Sequence, residues 1–119
     1  MSTIHSAQVI FAKRLPQLLD KVFDLGFEVT LGETYRSPQE AARLAATGAG
    51  IARSLHCDRL AIDLQLFKDN RYLTQTEDYR PLGEFWESLS GDGYQCAWGG
   101  RFVSRPDGGH FSIAWDGRR

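Results

Sequence analysis

Leu60-Ala61-Ile62-Asp63-Leu64-Gln65-Leu66 decides the fold. Side chains alternate across a strand, so Leu60, Ile62, Leu64 and Leu66 share one face while Ala61, Asp63 and Gln65 share the other. The spacing predicts a strand from Leu60 to Phe67 with one face on a core and an aspartate turned away from it. Aspartate is a poor strand former, and if covered it needs a positive or hydrogen-bonding partner to offset desolvation. Taken alone, Asp63 fits a solvated, salt-bridged face as well as a functional site.

The last segment, His110 to Trp115, repeats the arrangement. Phe111, Ile113 and Trp115 alternate with His110, Ser112 and Ala114, so His110 lies among small residues that leave room for a ligand. Asp63 and His110 each face away from an apolar side and are expected to meet across a cleft. Upstream, Val9, Ile10, Leu15, Leu18, Leu19, Val22 and Phe23 recur at helical spacing within Ala7 to Leu25, and Gly26 ends that helix. Phe27 to Leu31 reads as a strand with one buried face. Ser37 as N-cap, Pro38 at the first helical position and Glu40 completing a capping box open a helix to about Ala46, followed by an irregular stretch to Ser54 and His56. Downstream, Lys68-Asp69-Asn70-Arg71 is a polar turn, and Tyr79 to Leu89 a helix with Leu82, Phe85, Trp86 and Leu89 inward. The last third, before the closing strand, reads as loop-rich.

Composition narrows the function classes. The 119 residues carry a net charge of −1, with arginines scattered apart from Arg118–Arg119, which excludes a polyanion-binding surface and hence a nucleic-acid partner. No apolar run is long enough for membrane insertion. Met1 to Ser6 lacks the pattern of a secretory signal, so synthesis is expected in the cytoplasm. Cys57 and Cys96 are too few for a disulfide scaffold and are expected to be buried free thiols. The length fits a single domain over residues 1–119.

Individually, His56 and His110 fit hydrogen-bonded structural histidines as well as metal ligands. Together with Asp63 they supply two imidazoles and a carboxylate, a set suited to catalytic zinc (Zn2+) with a fourth position for water. Metal-assisted amide hydrolysis also needs a proton acceptor. Asp107, three residues before His110, is the nearest carboxylate in sequence, and the two intervening glycines permit a tight turn with positive φ. Cys57, beside His56 in what reads as an extended segment, points the other way and packs inward. Glu33 and Glu87 receive no role.

These residues resemble the zinc D-alanyl-D-alanine carboxypeptidases and dipeptidases and the phage L-alanyl-D-glutamate endopeptidases, which share the hedgehog/D,D-peptidase fold. The signature Ser-x-His-x-x-Gly-x-Ala-x-Asp corresponds to Ser54-Leu55-His56-Cys57-Asp58-Arg59-Leu60-Ala61-Ile62-Asp63, and acid-x-x-His to Asp107-Gly108-Gly109-His110. Tyr35-Arg36-Ser37 and Trp98-Gly99-Gly100 are similar to further family segments. The resemblance implies an α+β fold, a small antiparallel sheet with helices packed on one face. It implies a zinc metallopeptidase cutting an amide bond in peptidoglycan stem peptides, with zinc on His56, Asp63 and His110, Asp107 as general base, and Arg36, Ser54 and Trp98 contacting substrate. Ser54 also fits a turn cap, and Trp98 a core residue. Arg59 stands where the family has glycine, which puts the path from His56 to the strand in question. The setting expected is a monomeric, endolysin-like enzyme of a phage or prophage. A cysteine-dependent wall amidase using Cys57 or Cys96 with His110, and a non-catalytic zinc-stabilised wall-binding module, are the competing readings.

Overall fold

Thr3 caps the first helix, α1 (Ile4–Asp24), its Oγ1 accepting the Ser6 N–H at 3.1 Å. The helix starts earlier than its apolar periodicity suggests because this cap lies upstream of the periodic residues. A computed structural model describes residues 3–51 and 53–119. The buried stripe of α1 is Ala7, Phe11, Arg14, Leu18 and Val22, whereas Val9 and Phe23, expected inside, are exposed. Arg14 joins an apolar stripe because carbonyls satisfy its guanidinium: Nη1 donates to Tyr94 O at 2.8 Å and Nη2 to Gly91 O at 2.9 Å.

After α1 the chain forms β1 (Glu28–Leu31), α2 (Pro38–Ala46), β2 (Ala61–Lys68), β3 (Arg71–Tyr72), α3 (Arg80–Ser88), β4 (Cys96–Trp98) and β5 (His110–Ile113). The sheet order is β1-β2-β5-β4, with β3 also pairing with β2, and every pairing is antiparallel. The α+β class with an antiparallel sheet is therefore as the sequence suggests. β1 is an edge strand without the clean buried face expected of it: Val29 is half-buried and Leu31 exposed. Ser37 caps α2 by accepting the Glu40 N–H at 3.0 Å, but the Glu40 carboxylate turns to Arg43, so only half of the expected capping box forms.

One further detail is as expected but tighter, and two depart from expectation. The polar turn at Asp69–Asn70 is a two-residue hairpin loop with both residues at positive φ (53° and 63°), and it pairs Phe67 with Tyr72. β4 lies within the stretch read as loop; at three residues it is too short for alternation to reveal. β5 stops at Ile113, after which Trp115 bridges to Arg118.

Leu60, Ile62, Leu64 and Leu66 are buried together with Phe111 and Ile113, and helices α1 and α3 supply Phe11, Leu18, Val22, Leu82 and Trp86 to the same core. The Trp86 ring meets Phe11 and Phe111 edge-on, and its Nε1–H donates to Ser112 O at 2.9 Å. A buried indole with its donor satisfied fixes α3 against β5. The opposite face of the β2–β5 pair is thereby left for Asp63 and His110. No described helix is long and apolar enough to cross a membrane.

Candidate metal and catalytic site

The β2–β5 register sets Asp63 directly opposite His110. Directly opposed residues of an antiparallel pair project to the same side. Carboxylate and imidazole are thus neighbours on one sheet face rather than partners across a cleft.

His56 comes from a short 3-10 turn, Leu55–Asp58, and not from the extended segment expected. Ser54 caps this turn, its Oγ accepting the His56 N–H at 3.1 Å. Arg59 closes it in the left-handed region, φ 58° and ψ 36°. Glycine adopts that conformation without penalty, but Arg59 takes it too, so the path from His56 into β2 follows a glycine-like turn. The Arg59 guanidinium lies 4.2 Å from the Tyr35 ring centroid, a cation–π contact. Because the segment is helical, Cys57 does not pack inward: it is half-buried, with its Sγ towards Ser37 O.

His56 Nδ1 is 3.0 Å from Thr34 O, a carbonyl that can only accept, so Nδ1 carries the proton and Nε2 presents a lone pair. That Nε2 lies 3.3 Å from Asp63 Oδ1, and His110 Nδ1 lies 3.4 Å from the same oxygen. The ligand atoms of all three residues fall within 4.8 Å of one another. Among the described residues Asp63 Oδ1 is buried without a hydrogen-bond partner; on His110 it is the ring nitrogen away from Asp63, Nε2, that is buried without one, while Nδ1 faces the carboxylate. Lone pairs converging on a buried point repel one another unless a cation sits between them. Tetrahedral zinc with bonds of about 2.0–2.2 Å sets its ligand atoms about 3.4 Å apart, which the two distances match. The donor set fits zinc.

Burial works against the Asp63 charge, but the two imidazoles hold its carboxyl well below the usual carboxylate range. Burial lowers the His56 pKa, and the Asp63 carboxylate more than reverses this, leaving it raised. The Asp107 carboxyl is raised by the surrounding protein and by the Asp63 charge, with His110 acting in the opposite direction; its side chain still reaches solvent.

The Pro106–Gly109 turn that carries Asp107 is held at several points. Asp107 N–H donates to Gly99 O at 2.9 Å, Trp98 Nε1–H to Gly108 O at 2.7 Å, and Leu64 N–H to Gly109 O at 2.8 Å. Neither Gly108 nor Gly109 uses positive φ. Their role is close approach: a Cβ on Gly109 would sit 2.6 Å from Leu64 O, and one on Gly108 2.9 Å from Thr76 Cα.

Arg36, Ser54, His56, Asp63, Asp107 and His110 line one cleft of about 680 Å³. Arg36 is held by Glu33, its Nε donating to Oε1 at 2.8 Å with a second contact through Nη2, so Glu33 has the role that sequence reading did not assign. Trp98, expected to touch substrate, is instead a core residue at 1% exposure, packed against Gly83 and Gly100 with Arg80 and Arg101 near its ring. Its side chain reaches the site through Gly108. Cys96 is buried beside Arg14, and burial pushes its thiol pKa up, the reverse of what a nucleophile needs.

No curated protein matches the chain in sequence. The crystal structure of the Serratia marcescens L-Ala D-Glu endopeptidase ChiX matches with a TM-score of 0.56 at 20% identity, over 72% of this chain and 66% of that one. The chain thus spans just under two thirds of that neighbour, and the likeness shows a shared fold. A family profile described as D-alanyl-D-alanine carboxypeptidase matches residues 47–113, more than half of the chain, and includes His56, Asp63, Asp107 and His110. The spaced motifs and the fold thus lead to one assignment: the chain belongs to the D-alanyl-D-alanine carboxypeptidase family of peptidases.

Proposed function

We propose that the chain is a zinc-dependent peptidoglycan peptidase, acting as a monomeric single domain of endolysin type on stem peptides. The observation that carries this reading is Asp63 Oδ1, buried, without a hydrogen-bond partner among the described residues, 3.3 Å from His56 Nε2 and 3.4 Å from His110 Nδ1. Zinc held by these atoms supplies Lewis acidity towards the scissile carbonyl and a water acidified to a pKa of about 7.

The chain's own groups supply the rest. Thr34 O fixes the His56 tautomer, so that Nε2 faces the site. The Asp107 carboxylate takes a proton from the attacking water and returns it to the leaving amine nitrogen. Arg36, braced by Glu33, presents the rest of its guanidinium to a substrate carboxylate. Ser54 lies in the same cleft with its Oγ already engaged as a cap, so its direct contribution to substrate is secondary. Neither the buried Cys96 nor the half-buried Cys57 lines this cleft, so no observation favours a cysteine mechanism.

The test is Asp107→Asn assayed on purified peptidoglycan alongside metal analysis. The variant keeps one zinc per chain while cleavage falls by about 10²- to 10⁴-fold, the usual range for losing a general base. Wild-type cleavage by Asp107→Asn, or full activity after chelation, overturns the reading.

A further inference from the structure

The groove does not end at the proposed metal ligands. Asp63 and Asp107 also line a second hollow, of about 280 Å³, walled by Gln65, Tyr72, Thr74 and Thr76. Gln65 follows Asp63 on the same face of β2, about 7 Å further along at two residues of strand rise. The floor here is firm although the sheet is interrupted: β5 leaves β2 at Asp63, β3 joins it at Phe67, and Tyr79 spans the gap. The Tyr79 hydroxyl donates to Leu73 O at 2.8 Å and accepts the Leu66 N–H at 3.1 Å.

The two limbs differ in chemistry and size. The larger, about 680 Å³, carries Arg36, Arg105 and Arg119, and among the described residues its only acidic side chains are Asp63 and Asp107. Arg36 is already paired with Glu33, whereas Arg105 has no acidic partner among the described residues and donates only to Gly48 O. Among the described residues the smaller limb has no charged side chain apart from the shared aspartates. Gln65 Oε1 accepts from Thr30 Oγ1 at 2.8 Å, while Gln65 Nε2 and the Thr76 hydroxyl are engaged by no described residue.

A terminal alanine would occupy a small part of a 680 Å³ limb, which is in the size range that encloses a drug-sized ligand. We infer that the cleft takes peptide on both sides of the scissile amide. A carboxylate-bearing portion of several residues lies in the Arg36/Arg105 limb and an uncharged, hydrogen-bonding portion in the Gln65/Thr76 limb, so that cleavage is internal and not terminal. This rests on the peptidase reading above. Hydrolysis consumes one water: its oxygen joins the acyl carbon, the C–N bond breaks, and the proton passes to the leaving amine.

The substrate for the test is a synthetic stem peptide carrying both an internal L-Ala–D-Glu bond and a terminal D-Ala–D-Ala bond, digested by the zinc-loaded protein and read by mass spectrometry. Internal cleavage without free D-alanine is expected; free D-alanine as the main product overturns the inference and leaves the peptidase reading intact. Cleavage at neither bond overturns both. Gln65→Ala/Thr76→Ala raises KM for the full-length peptide by about tenfold with kcat and zinc content unchanged, as expected for losing hydrogen bonds made equally in ground and transition states. For a peptide truncated on the uncharged side, the same variant matches the wild type. An unchanged KM for the full-length peptide also overturns the inference.

Discussion

Gly99→Ala tests whether the turn bearing Asp107 is positioned by close packing. Gly99 has no positive φ, so alanine meets no backbone penalty and the substitution isolates one contact. Its Cβ would lie 2.2 Å from Asp107 O and 2.8 Å from His110 Cβ, whereas real contacts begin near 3.0 Å. The Asp107 backbone must therefore retreat by about 0.8 Å and His110 by about 0.2 Å. Overpacking of this kind costs about 1–3 kcal/mol, or a Tm fall of roughly 5–15 °C for a chain of this length. A displacement near 1 Å at a reacting group lowers rates by about 100-fold. The unequal shifts give the prediction its shape: at saturating zinc, kcat/KM on peptidoglycan falls by about 100-fold, while zinc affinity, measured by chelator competition, falls by less. Gly91→Ala is the control, because its Cβ would meet nothing within 4 Å. A Gly99→Ala protein with wild-type kcat/KM, or one that loses zinc more severely than activity, refutes the packing argument.

Other outcomes follow from the same geometry. Arg59→Gly relieves a left-handed conformation worth about 1–2 kcal/mol, loses a cation–π contact of about 0.5–1 kcal/mol and adds a similar entropic cost; urea melts should place it within about 1 kcal/mol of wild type, and a loss above about 2 kcal/mol contradicts the strain assignment. Trp98→Phe strands the buried Gly108 carbonyl and costs roughly 1–3 kcal/mol, read by the same melts. Without metal, the raised His56 pKa contributes stability at low pH that is lost as pH rises through it, and the depressed Asp63 pKa contributes stability that is lost as pH falls below the ordinary aspartate range. Thermal melts of the zinc-free protein should therefore peak between about pH 4 and 6.5. Zinc affinity should fall about tenfold per pH unit for each proton displaced once pH drops through the His56 pKa; pH-independent affinity would contradict zinc ligation by His56.

Much of this was legible in the residues. The alternation around Asp63 gave a strand whose apolar side is buried as expected, and the Ser37–Pro38 cap located α2 to the residue. The motifs at Ser54–Asp63 and Asp107–His110 pointed to the family that the profile supports. What stayed hidden shares a physical cause, dependence on partners distant in sequence. Thr34 acts through its carbonyl, which every residue has, so no side-chain pattern marks it. Glu33 matters because the loop turns it onto Arg36. Arg14 reads as surface charge until the carbonyls of Gly91 and Tyr94 are brought to it. Trp98 looked like a cleft wall because glycines follow it, yet those glycines make room for the indole in the core: a Cβ on Gly100 would fall 2.3 Å from its ring.

The pairing of Asp63 with His110 also bears on the order in which the molecule assembles. His56 and Asp63 are joined by a short turn and one strand, so they come together locally. His110 reaches them only when β5 has found its register on β2, a pairing that closes a long loop and is intrinsically slow. A slip of one residue would turn the imidazole into the core and bring Phe111 or Gly109 opposite Asp63. A metal requiring all three ligands therefore binds only the correctly registered sheet, and the rate at which refolding protein acquires zinc is a clock for the final strand pairing.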